Sequence, residues 1–141
     1  MKPVRALLVD DSPTFLRIAV RYLCETCRDE VAVVGTACGG EEALTQARAL
    51  RPQLILLDLM MPRPSGLEVI PRLRALLPHV CIVALTLLDT SSYRRAALAA
   101  GADAFVAKAT MEADLLPAVR QAIETRSSAW VPADGSEPPA G

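Results

Sequence analysis

Three short runs of almost purely apolar residues, each ending at a polar group, constrain this chain more than any other feature. Val4 to Val9 leads into Asp10-Asp11, Leu54-Ile55-Leu56-Leu57 into Asp58, and Val80 to Leu85 into Thr86. A strand with one wet face alternates apolar and polar residues. These runs do not alternate, so they read as strands buried on both faces, as in a parallel sheet covered by helices. The ends of parallel strands gather along one rim. In open α/β sheets the crevice outside the carboxyl ends is where ligands bind. Three carboxylates and a hydroxyl are therefore expected to meet in one place.

The intervening segments supply the helices. Ser12-Pro13 offers a capping residue followed by proline in the first turn, and Phe15, Ile18, Ala19, Tyr22 and Leu23 then recur at helical spacing until the helix fades near Cys27. Val31 to Thr36 reads as a second strand. A helix follows from Gly39-Gly40 to about Leu50. After the turn Pro62 to Gly66, a third helix places Leu67, Ile70, Leu73 and Leu76 or Leu77 inward, with Pro71 expected to bend or delay it. Asp89 to Ser92 offers caps for a fourth helix ending at Gly101, which suits a left-handed cap. Ala104 to Ala107 is a fifth strand ended by Lys108. The last helix runs from about Met111 to Arg126, with Leu115, Leu116, Val119 and Ile123 inward and Pro117 as a local irregularity. Five strands alternating with five helices predict right-handed crossovers and one parallel sheet.

With 141 residues, 52% of them apolar, the chain is long enough for one domain to bury a core without disulfides. The domain is expected over 1–126. From 127 to 141 the sequence is too polar and too rich in proline and glycine to pack, and reads as a flexible tail that Trp130 could pin. A formal net charge of −1 gives no electrostatic footprint for nucleic acid. No apolar stretch spans a membrane and no signal segment opens the chain, so a cytoplasmic location is expected. Cys24-x-x-Cys27 has the spacing of a dithiol or half a zinc site. It falls at a helix end, however, and not at the helix start that lowers a thiol pKa, so ordinary cysteines are expected here as at Cys38 and Cys81. His79 reads as an exposed loop residue.

Three carboxylates at one rim repel each other and either raise a pKa or hold a cation. A hard divalent ion such as Mg2+ accepts carboxylate oxygens and keeps room for a phosphoryl oxygen. One aspartate can then act as nucleophile and form an aspartyl phosphate. Lys108 would set a point charge against the transferred oxygens, and the Thr86 hydroxyl would donate to one of them.

These segments resemble the receiver domains of two-component response regulators. The resemblance runs from residue 4 to about 125. It rests on Leu-Leu-Val-Asp10-Asp11-Ser-Pro, Leu-Ile-Leu-Leu-Asp58-Leu-Met-Met-Pro62, Gly66-Leu-Glu, Ala-Leu-Thr86 and Gly101-Ala-Asp-Ala-Phe105-Val-Ala-Lys108. It implies the flavodoxin-like (βα)5 three-layer α/β sandwich, with parallel sheet order 2-1-3-4-5. It also implies Asp58 as phosphoacceptor, with Mg2+ held by Asp10, Asp11, Asp58 and the backbone carbonyl of Met60. Thr86 and Lys108 match the switch hydroxyl and phosphate-binding lysine, and Phe105 the aromatic switch. Phosphorylation would draw Thr86 toward Asp58 and open space into which Phe105 turns.

The implied phosphodonor is a sensor histidine kinase or histidine phosphotransfer protein. The implied output is a downstream protein or a homodimer bound through the face of helix 4, strand 5 and helix 5, with no direct nucleic-acid binding by this chain and no membrane. The segment from Tyr93 to Arg126 is most similar to receivers that precede LuxR-type helix-turn-helix domains. The sequence reading is a single-domain regulator. Its alternatives are an isolated receiver of a longer DNA-binding regulator, a receiver that no longer takes phosphate, and a thiol sensor. Two departures stand out: bulky Leu87 after the threonine could narrow access to the site, and Ala109 follows Lys108 where proline is frequent. Met60 and Leu88 cannot orient an attacking water, which admits a slowly hydrolysing phosphoryl-aspartate.

Overall fold

The computed structural model describes residues 2–87 and 91–129. Strands β1 (Val4–Val9), β2 (Val31–Ala37), β3 (Leu54–Asp58), β4 (Cys81–Thr86) and β5 (Ala104–Ala107) form one sheet of order β2-β1-β3-β4-β5. All four neighbouring pairs are parallel. Between and after them lie α1 (Pro13–Thr26), α2 (Gly40–Leu50), α3 (Gly66–Leu76), α4 (Ser91–Ala100) and α5 (Met111–Ala129). The flavodoxin-like arrangement expected from the sequence is the one observed.

The apolar runs fold as they do because both faces of the sheet are covered. Every residue of β3 and β4 is buried, whereas edge strand β2 is buried only at its two ends. Successive side chains feed opposite cores. Leu7, Val9, Ile55, Leu57, Ile82, Ala84 and Phe105 pack with Leu44 of α2, Val69, Ile70 and Leu73 of α3, and Ala97 of α4. Ala6, Leu8, Leu54, Leu56, Val83 and Val106 pack with Leu16, Ala19 and Leu23 of α1 and Leu115, Val119 and Ala122 of α5. Each fully buried leucine or isoleucine contributes about 1.5–3 kcal/mol by leaving water. Together the two cores fix the strands in register.

Ser12 caps α1, its Oγ accepting from the Phe15 N–H at 3.2 Å, with Pro13 in the first turn as expected. Ile18 departs from expectation. It is 57% exposed, and the buried stripe of α1 is Leu16, Ala19 and Leu23. In α3 the buried residues are Gly66, Val69, Ile70 and Leu73, with Leu67 and Leu76 only partly covered. Pro71 lies inside that helix without delaying it, because a capping box between Ser65 and Glu68 fixes the start upstream. In α5, Leu116 and Ile123 pack at the margin of the core rather than inside it. Gly101 follows α4 with φ of +125°, the positive φ expected of its glycine. Helix α5 continues to Ala129, three residues past the boundary expected at 126. Leu88, Asp89 and Trp130 lie outside the described residues.

Candidate functional site

The rim at the carboxyl ends of β1 and β3 gathers the expected acids. One ligand oxygen from each of Asp10, Asp11 and Asp58 lies within 4.8 Å of the others. Asp11 is exposed, while Asp10 and Asp58 are 1% and 3% exposed. Backbone amides at the two loop starts orient the buried pair: the Ser12 N–H donates to Asp10 Oδ1 at 2.8 Å, and the Met60 N–H to Asp58 Oδ1 at 3.0 Å. Each is a two-residue Asx turn that fixes the carboxylate where its strand ends.

Lys108 reaches the same place from the end of β5. Its Nζ lies 2.5 Å from Asp10 Oδ2 and 3.5 Å from Asp58 Oδ2. The lysine heads a single 3₁₀ turn, Lys108–Thr110, that links β5 to α5. A turn forms there although Ala109 replaces the frequent proline. Burial pushes the Asp58 carboxyl above its ordinary value, and the neighbouring Asp10 charge adds to the rise. The Met60 amide and the Lys108 ammonium oppose it. A buried carboxylate whose charge is costly is one a cation or an electrophile can relieve.

Three clustered carboxylates form an all-oxygen, acceptor-only donor set, the chemistry that suits Mg2+ and not a soft metal. Asp10, Asp11 and Asp58 therefore fit the ion. At Met60 the described contact is made by the amide, 3.0 Å from Asp58.

Thr86 ends β4 and is fully buried. Asp58 pairs with Leu85, so the threonine stands one residue beyond Asp58 on the adjacent strand. Phe105 is 6% exposed and belongs to the core under α4, with the Arg94 guanidinium 4.9 Å from its ring centroid. The ring is thus already inside. Leu87 is 74% exposed, so its bulk lies in solvent and is not packed over the carboxylates.

Residues outside the rim behave as ordinary ones. Cys24 and Cys38 are exposed, Cys27 and Cys81 buried, and all four are free thiols. Burial raises the Cys27 thiol and pushes Cys81 up to about 11, the reverse of a reactive cysteine. His79 is exposed.

Two features escaped the sequence reading. Phe15, counted there as part of the helix stripe, sets its ring centroid 4.1 Å from Lys108 Nζ. At the opposite end of the sheet, Asp103 accepts from Arg74 at 2.9 Å, from Arg126 at 2.7 Å and from the Ile82 N–H at 2.9 Å, tying α3 and α5 to the start of β4. The Gly101-Ala-Asp103 segment carried that acid, but nothing local marked its partners.

The family model described as the response regulator receiver domain matches residues 6–120. The response regulator protein VraR of Staphylococcus epidermidis is 35% identical over 126 residues, covering 88% of this chain and 58% of VraR. A putative transcriptional regulator of Pseudomonas aeruginosa is 40% identical over 116 residues, covering 82% of this chain and 55% of its own length. The chain thus spans a little over half the length of these relatives. A LuxR-family two-component response regulator from Aurantimonas superposes with a TM-score of 0.80 at 29% identity, covering 88% of this chain and 87% of that one. No helix among the described residues is long and apolar enough to cross a membrane.

Proposed function

The chain belongs to the response regulator receiver-domain family, and on that premise we propose that it is a Mg2+-dependent phosphoacceptor whose nucleophile is Asp58. The observation that carries the reading is the convergence of three carboxylates and the Lys108 ammonium on one rim. In the step itself a carboxylate oxygen of Asp58 attacks phosphorus and forms an acyl phosphate. The bond from phosphorus to the donor's leaving atom breaks, and the donor keeps that electron pair. With a phosphohistidine donor the leaving atom is an imidazole nitrogen. With acetyl phosphate it is the acetate oxygen.

Mg2+ held by Asp10, Asp11 and Asp58, with the Met60 carbonyl as a further ligand, would neutralise charge on the phosphoryl oxygens. The chain's own residues do the rest. The Met60 and Ser12 amides orient the two buried carboxylates. Lys108 supplies positive charge 3.5 Å from Asp58 Oδ2, where the new phosphoryl oxygens would sit. Thr86 donates its hydroxyl to one of those oxygens. The bond made only after phosphorylation biases the α4–β5–α5 face, since a group shifts an equilibrium only by binding one state better. Phe105 of β5, with the Arg94 guanidinium of α4 over its ring, is the packed link in that route.

A sensor histidine kinase or histidine phosphotransfer protein is the proposed donor. A downstream protein or a second copy bound at the α4–β5–α5 face is the proposed receiver of the signal. We assign the receiver unit to the residues through the end of α5 at Ala129, three past the boundary expected from the sequence.

Incubation with acetyl phosphate and Mg2+, followed by intact-mass measurement, tests the assignment. One added phosphoryl group on wild type and none on Asp58→Ala is expected. Equal labelling of the two would remove Asp58 from the role.

A further inference from the structure

Resting on the phosphoacceptor reading, we propose that Phe15 is a positioning residue for Lys108, holding its ammonium over the acidic pocket through the face of the ring. The Nζ lies 4.1 Å from the ring centroid, inside the ~6 Å range of cation–π attraction. Only 8% of the lysine side chain is exposed, so water competes weakly for the charge.

The need for such a support follows from the distances. The ammonium is 2.5 Å from Asp10 and 3.5 Å from Asp58, so its stronger tie is to a carboxylate that Mg2+ would also bind. A divalent cation and the ammonium compete for Asp10. Without a second holding surface, the flexible four-carbon stem would let the displaced ammonium leave for solvent. The ring keeps it near Asp58, where the phosphoryl oxygens arrive. Phe15 also packs at the margin of the α1 and α5 core, and simple packing is the competing account.

The two accounts differ in sign at one measurement. Phe15→Leu keeps apolar bulk at the core margin and removes the π face. Phosphorylation by acetyl phosphate at saturating Mg2+ should slow about fivefold, the loss expected for one partly desolvated cation–π contact. Mg2+ affinity, measured by calorimetric titration without phosphodonor, should equal or exceed that of wild type, because the competing ammonium is less firmly held. Phe15→Trp should restore the rate. Equal rates for Phe15→Leu and wild type, parallel losses of rate and Mg2+ affinity, or a Trp variant no faster than the Leu variant would each overturn the inference while leaving Asp58 in place. A wild-type chain that takes no phosphoryl group at all would overturn the phosphoacceptor reading itself, and this inference with it.

Discussion

Replacing Lys108 with methionine should cost the fold more than it costs any packing contact, and Mg2+ should give much of that stability back. Methionine keeps an unbranched, flexible stem of similar reach. What disappears is the charge. The Lys108, Asp10 and Asp58 side chains are 8%, 1% and 4% exposed, so the ion pair lies out of reach of solvent screening. With the ammonium gone, Asp10 and Asp58 confront each other, their nearest ligand oxygens within 4.8 Å. At an effective dielectric constant of about 20 that repulsion is roughly 3 kcal/mol. Breaking one side of a buried ion pair typically costs about 3–5 kcal/mol. The two figures describe one effect and are not additive. In EDTA, Lys108→Met should therefore lose about 3–5 kcal/mol by urea denaturation, or roughly 10–20 °C of Tm for a domain this size. Millimolar Mg2+ should narrow the gap, and adding Asp58→Asn should recover part of it by removing one of the two carboxylates. A loss below about 1 kcal/mol in EDTA, or a loss that is the same with and without Mg2+, would refute the electrostatic account.

Gly66→Ala should destabilise by about 1–3 kcal/mol and slow Asp58 labelling, because a Cβ there would meet the Asp58 carbonyl oxygen and Leu59 Cα, backbone that cannot give way; labelling at the wild-type rate counts against it. Asp103→Ala should cost roughly 1–3 kcal/mol by removing the carboxylate that Arg74 and Arg126 share, their carbonyl contacts at Pro78, Val80 and Gly101 remaining, while leaving Mg2+-dependent labelling unchanged, which chemical denaturation and intact mass together check. In Mg2+-free buffer Asp58→Asn should melt above wild type near neutral pH. Burial raises the Asp58 carboxyl, so that residue's stabilising contribution is present below the unfolded carboxyl pKa and is lost as pH rises through the folded one. The variant's advantage should shrink as pH falls, and an advantage constant with pH contradicts the cause. A native-state thiol assay should count two reactive cysteines, Cys24 and Cys38, with Cys27 and Cys81 appearing only on unfolding.

The fold was readable because β3 and β4 are buried along their whole length, and the physical requirement for two covered faces is written directly as uninterrupted apolar runs. The convergence of Asp10, Asp11, Asp58 and Lys108 was readable because parallel strands bring their carboxyl ends to one rim. Ile18 was misassigned for a physical reason. An amphipathic helix fixes a period but not the width of its buried stripe, and Leu16 takes the inward place. The Ser65 and Glu68 capping box has the right spacing, yet Pro62, Pro64 and Gly66 make that segment read as a turn. Phe15 was hidden because a half-buried aromatic at helical spacing looks the same whether it packs on aliphatic carbons or on an ammonium. Asp103 was hidden because its arginines come from 29 and 23 residues away.

The sheet is poorly shaped for growth at either border. At β2 the register slips between Ala6 and Leu7, so that Val34 has no opposite number and the outer strand is kinked away from a regular ladder. At the other border β5 offers only four residues. A second chain trying to add a strand would find one side bent and the other too short to repay its ordering. Strand addition at either border is thereby disfavoured. Strand-swapped or fibrillar assembly is discouraged by the backbone itself, without a single charged gatekeeper being needed for the purpose.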